Sequence, residues 1–308
     1  MAGFPAAAHR LIDELDKHRR IIWALLMREM STRYGRDDLG FLWVLAEPLV
    51  FASAVAALWS VIRPPFEYGI RVIPFTITGY LPLILVRQTA SFVVNSVKAN
   101  QPLLYHRHIT PLHLFFSRFS IEVIGITFAY MLIVVFLNFF GLMPLPKDLL
   151  VLMGGWALLA WLAFGVALIM GALAEMFEFV ERFVQVLTYI LIPLSGAFFM
   201  ISALPPTYRH YVMMLPFVHC FELMRGAYFG PFLKTYYDVP YAITWAAGLT
   251  LIGLIVVQYV RERVEVEKGP FITTLARDYR LGDPCSPNHQ ITPTPRPTVC
   301  THPRAQRR

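Results

Sequence analysis

Side chains able to do chemistry are few in this sequence and far apart. His106 and His108 stand two residues apart in a polar stretch that supplies no third or fourth ligand, so they do not make a zinc site. Cys220, Cys285 and Cys300 are odd in number and irregularly spaced, which fits neither a disulfide framework nor a metal site, and no redox chemistry is expected of them. No GxxxxGK[ST] occurs, so the chain cannot by itself cradle nucleotide phosphates in the usual loop. HExxH and GxSxG are also missing, and the acidic residues are dispersed. The chain is therefore not expected to be an enzyme, and any hydrolysis of ATP must occur in a separate subunit.

What remains is a small set of charges in apolar surroundings. Arg87 lies in a long apolar run, fifteen residues beyond Val72 and so about 22 Å along a helix. It either snorkels towards the near membrane face or lines a polar conduit. Arg118 and Glu122, four apart, can pair on one helix face. Glu222 and Arg225, three apart, read as a local pair that orients a short helix. Glu47 and Pro48 follow closely on Trp43, and the carboxylate can pair with Arg33 or Arg36 or set the angle at which the chain enters its first long helix.

The elements that must position these charges are set by composition. The chain has 308 residues, 56% hydrophobic and only 15% charged, with mean hydropathy +0.54, against about 25% charged in a soluble domain. A hydrocarbon core of about 30 Å needs roughly 20 apolar residues per helix. Six runs meet that need: 43–62, 72–97, 113–140, 149–174, 183–203 and 241–260. They are apolar on all faces, unlike the alternating ten-residue segments of a barrel. The reading is an all-α integral membrane protein with six transmembrane helices in a domain spanning 43–260. Pro74, Gly79 and Pro82 predict kinks in the second. Most of the 14 Tyr and 24 Phe belong to the core or the lipid belt, with a minority available to stack on sugar rings.

Lys and Arg crowd both ends, from Arg10 to Arg36 and again from Arg261. Basic flanks favour the cytoplasm, and two cytoplasmic ends require an even number of crossings. The first long apolar run starts only after about forty residues, so no cleaved secretory leader is expected. Residues 1–42 form a cytoplasmic region with an amphipathic interfacial helix, apolar at Leu11, Ile12, Leu15, Ile22, Leu25, Leu26 and Met30. The loop at about 98–112 is longer than a reversal requires and offers Leu103, Leu104 and Tyr105 amid Gln101, His106 and Arg107, which suits docking in a partner's groove. The region at about 204–236 is too apolar for an ordinary outer loop and reads as a re-entrant helical pair, with Pro216 opening its second helix. Residues 261–308 form a basic tail, largely disordered in its Pro-rich part.

Three stretches in order, LLMREMSTRYGRDDLGFLWVLAEPLV, ANQPLLYHRHITPL and LPPTYRHYVMMLPFVHCFELMRGAYF, resemble the permease subunits of type-2 ABC exporters, nearest to the capsular polysaccharide export group. The resemblance covers about residues 25–267 and leaves the tail outside it. It implies that Leu39, Gly40, Trp43, Glu47 and Pro48 form the approach to span one, that Asn100, Gln101 and Leu103 to Tyr105 form the region coupled to an ATPase, and that Pro216, His219, Glu222 and Arg225 belong to the outer re-entrant region. It also implies a homodimer in the bacterial inner membrane, working with two copies of a cytoplasmic ATPase that binds ATP and Mg, this chain holding no cofactor. The cargo would be a lipid-linked capsular polysaccharide, handed to periplasmic and outer-membrane export proteins, and no nucleic acid is involved. O-antigen or another lipid-linked glycan is the alternative cargo. A membrane enzyme acting on lipid-linked sugars is the rival class.

Overall fold

The computed structural model describes residues 4–34, 40–100, 103 and 109–281. Apolar length dictates its main elements. Helices α2 (Gly40–Ile62), α3 (Val72–Val94), α5 (Pro111–Phe139), α6 (Leu149–Met176) and α10 (Val239–Leu281) each contain a segment long and apolar enough to cross a bilayer. The protein is thus an all-α, multi-pass membrane protein. The compact bundle extends to residue 262, and residues 263–281 continue as helix in a unit of their own. Two minimal strands, β1 (Phe66–Glu67) and β2 (Ile70–Arg71), pair antiparallel across a turn at Tyr68 and Gly69, both with positive φ as a tight hairpin demands.

Helix α3 is the centre of the bundle and packs on α2, α5, α6 and helix α7 (Glu178–Leu194). Leu81, Leu83 and Leu85 are fully enclosed. Small residues permit the close approaches: a Cβ on Gly165 of α6 would stand 2.9 Å from Leu249 Cβ on α10. Helices α2 and α10 instead leave Phe51, Val61, Leu251 and Ile255 uncovered, as lipid-facing or partner-facing helices do.

The run expected to cross at 183–203 is the one whose limits differ most. Helix α7 has 17 residues and covers about 25 Å. It carries Pro193, and its last turn is followed by Gly196 at φ +79°. The chain then runs as irregular but buried backbone, with Ala197 and Met200 fully enclosed, into a 3-10 turn at Ile201–Ala203. Helices α8 (Pro206–Val212) and α9 (Pro216–Phe229) follow, each with proline in its first turn.

At the other end, α1 (Phe4–Tyr34) packs on α5 and α2 through buried Leu25 and Glu29. Glu29 takes an ion pair of 2.8 Å from Arg118 of α5, whose other nitrogen donates to the Phe92 carbonyl at 3.2 Å. His113 Nδ1 accepts from the Thr110 N–H at 3.1 Å, which leaves Nε2 to donate to His18 Nδ1 at 2.7 Å. Exposed pairs of Asp16 with Arg19 and Arg20 support the polar face of α1, and the hydrogen bond from Arg20 holds the Asp16 carboxyl below its ordinary range.

Candidate functional site

Two groups of polar residues sit at opposite ends of α3. The first surrounds the irregular backbone after α7. Irregular backbone beyond a helix end has carbonyls without helical donors, and in an apolar setting they must find others. Arg225, on α9, supplies them: its guanidinium donates to the carbonyls of Gly196 at 2.7 Å and Phe199 at 2.8 Å, and to that of Ala197. It is fully enclosed and lies 4.3 Å above the Phe75 ring. Glu222, one turn back, does the complementary task. Its two oxygens accept from the N–H groups of Ile201 at 3.2 Å and Tyr236 at 3.1 Å. The two side chains act on each other as neighbouring charges, and each also caps backbone of the polarity opposite to its own, because the chain on either side of α9 leaves those groups without helical partners.

His219 completes the cluster. Its Nδ1 accepts from the Asp238 N–H at 2.9 Å, so Nε2 is the donor to the Met213 carbonyl at 2.8 Å. The ring rests 5.0 Å from that of Tyr241. Pro216 is buried at the start of α9. Gly79 belongs here too, although its sequence position suggested only a kink. A Cβ there would fall 1.9 Å from the Ala197 carbonyl oxygen and 2.7 Å from Arg225 Nη2, so only glycine lets α3 meet the capped loop.

The second group lies towards α1. Asn100 ends the short helix α4 (Ser96–Ala99) and is buried, donating from Nδ2 to Ser96 at 2.9 Å and accepting from Arg28 at 3.1 Å. The Leu103 N–H donates to the Asn100 carbonyl at 3.0 Å. Gln101, Leu104, Tyr105 and Arg107 lie outside the described residues, as do Leu39 and the Trp43 side chain, while Gly40 opens α2. Pro48 is buried within α2, and Glu47 is half-buried facing a cavity shared with Arg87. Sequence reasoning missed Glu29, whose partner Arg118 is remote in the chain.

Among the described residues no group of three or more His, Cys, Asp and Glu could hold a metal. The fold and these contacts define an all-α, multi-pass membrane protein whose buried charges cap its own backbone. Residues 20–229 match the family described as ABC-2 type transporter, and the chain belongs to that family. It is 36% identical over 253 residues to the capsule polysaccharide export inner-membrane protein CtrC of Neisseria meningitidis serogroup B, covering 82% of this chain and 96% of that one. It is 35% identical to BexB of Haemophilus influenzae, which bears the same description, over 80% of this chain and 93% of the relative. The polysialic acid transport protein KpsM of Escherichia coli is 25% identical over 75% and 90%.

Proposed function

We propose that this chain is the membrane-spanning subunit of an ATP-driven exporter that moves a lipid-linked capsular polysaccharide across the bacterial inner membrane. The observation that carries the reading is similarity along nearly the whole length of CtrC and BexB. The relatives are named for capsule and polysialic acid, which favours capsule over O-antigen as cargo.

Six crossings follow if α7 and the buried chain after it, 178–203, traverse the membrane together. Non-helical backbone is tolerated at such depth only where protein satisfies it, and Arg225 supplies that satisfaction. Both termini are then cytoplasmic, α8 and α9 dip back from the outer face, and α1 lies along the inner interface with Leu15 and Trp23 turned outward. Two copies form the pathway, ATP and Mg are bound by two partner ATPase subunits, and the segment from Asn100 to Arg107 receives their motion. Arg28 bonded to Asn100 supports that role by tying the segment's root to α1. Tyr105 and Arg107 are the contact residues, so Y105A and R107A uncouple ATP hydrolysis from transport while the permease still folds.

Deleting the gene from its host tests the reading: polymer accumulates inside the cell and surface capsule disappears, both restored by the intact gene. Unchanged surface capsule would reject it. Alkaline phosphatase fused after Phe140 is active under the six-span topology, and an inactive fusion would overturn that topology.

A further inference from the structure

A cavity of about 450 Å³ opens between α2, α3 and α7, within the range of roughly 300–1,000 Å³ found for small-ligand sites. Arg87 is its central charge. Its guanidinium carbon stands 4.9 Å from the centroid of the Tyr189 ring, and its Nε is enclosed without a hydrogen-bond partner. No hydrogen bond or ion pair joins Arg87 to another described residue, although Glu47 lines the same cavity beyond ion-pair distance. Arg87 sits seven residues before the end of α3, about 10 Å inside that end.

A guanidinium costs free energy when held among apolar helices, and it persists where something offsets that cost. Among the described residues the guanidinium meets a ring face and no hydrogen-bond partner. The fork geometry of arginine matches a carboxylate or phosphate, which it grips through two parallel bonds. Gln88 and Gln185 add amides that can donate to and accept from hydroxyls, and the rings of Tyr80 and Tyr189 add flat apolar walls with polar tips. Tyr189 and Gln185 are exposed and line the cavity from α7.

We propose that this cavity binds an oxyanion carried on a hydroxylated group, a carboxylate or phosphate attached to a sugar or polyol, with Arg87 as its anion-binding residue. Under the export reading, on which the choice of cargo rests, one source of that chemistry is an acidic glycan. The other source is a phospholipid head group.

Purified permease with its ATPase in neutral detergent is titrated calorimetrically with trigalacturonate and with its neutral counterpart maltotriose. In a second arm, native mass spectrometry compares phosphatidylglycerol with diacylglycerol, which lacks the phosphate. The parental protein prefers an acidic probe over its neutral counterpart by about ten-fold, the size of one charge-assisted contact, and Arg87→Gln abolishes the preference. Glu47→Gln tightens the acidic probe by about three-fold, since the bound anion no longer faces a carboxylate. That gain requires an intact fold, so misfolding cannot imitate it. Preference in the sugar arm assigns the cavity to glycan, and preference in the lipid arm alone assigns it to head groups. Equal binding of acidic and neutral probes, or a preference that survives Arg87→Gln, overturns the proposal. Neither arm measures transport, so a failed export reading leaves the binding result standing, and a failed binding result leaves capsule export by the parental protein untouched.

Discussion

Two arginines in this bundle face the same problem and solve it differently. Arg225 is fully enclosed and meets three backbone carbonyls and an aromatic face. Arg87 is half-buried, rests on an aromatic face, and makes no hydrogen bond to a described residue. Arg225 spends both terminal nitrogens on backbone carbonyls and keeps only an enclosed Nε without a partner, which leaves it no fork to offer a ligand. Arg225 is therefore part of the frame that lets a helix end inside the bundle, whereas Arg87 keeps donors free towards a cavity. The difference teaches that a charge in an apolar bundle is read by what its donors meet as well as by how far it is enclosed.

The comparison breaks most visibly at Arg225. Arg225→Ala leaves three buried carbonyls without donors and costs about 5 kcal/mol, while Arg225→Lys rescues little because one ammonium cannot reproduce the fork. Loss of folded protein in detergent, followed by size-exclusion chromatography, checks both. The exchanged double variant E222R with R225E is as damaging as R225A or worse, because each new side chain then meets backbone groups of its own polarity. If the exchange restores folded protein, Glu222 and Arg225 act chiefly on each other and the capping account fails.

Gly79→Ala is expected to cost about 3 kcal/mol, at the upper end for overpacking, because the obstacle is backbone oxygen of a capped loop. Thermal unfolding of the purified protein reads this, and a midpoint equal to the parental one would show that α3 and the loop can separate cheaply. Glu29→Gln weakens the ion pair to Arg118 and costs about 2 kcal/mol. Faster hydrogen exchange in α1 with unchanged exchange in α3 confirms that this contact secures α1 to the bundle. The smallest effect on folding belongs to Arg87→Gln, within about 0.5 kcal/mol, as a residue without protein hydrogen bonds requires. A large loss of stability there would place Arg87 with Arg225 in the frame.

Much of this architecture is legible in the sequence, because a segment that is apolar all round for twenty residues has few other fates. The segments of α2, α3, α5, α6 and α10 follow from that rule alone. Helix α7 does not: it starts at Glu178 instead of 183 and stops at Leu194 instead of 203. Hydropathy continues smoothly past the break, and the cap that stabilises it comes from Arg225, 29 residues further on than Gly196. The same blindness hid the Glu29 to Arg118 pair and the role of Gly79, where sequence spacing gives no sign of which elements meet. Glu222 and Arg225 were marked by type and position, but their partners are backbone groups, and backbone groups carry no signature in a sequence.

The most direct test of the account uses proteoliposomes holding purified permease and its ATPase, with lipid-linked capsular polymer supplied on the ATPase side. The account predicts that polymer becomes protected in the lumen only when permease, ATPase and ATP are all present, with its chain length and lipid anchor unchanged. Polymer that stays outside in the complete system, or that is cleaved or released from its lipid by the permease alone, would contradict it.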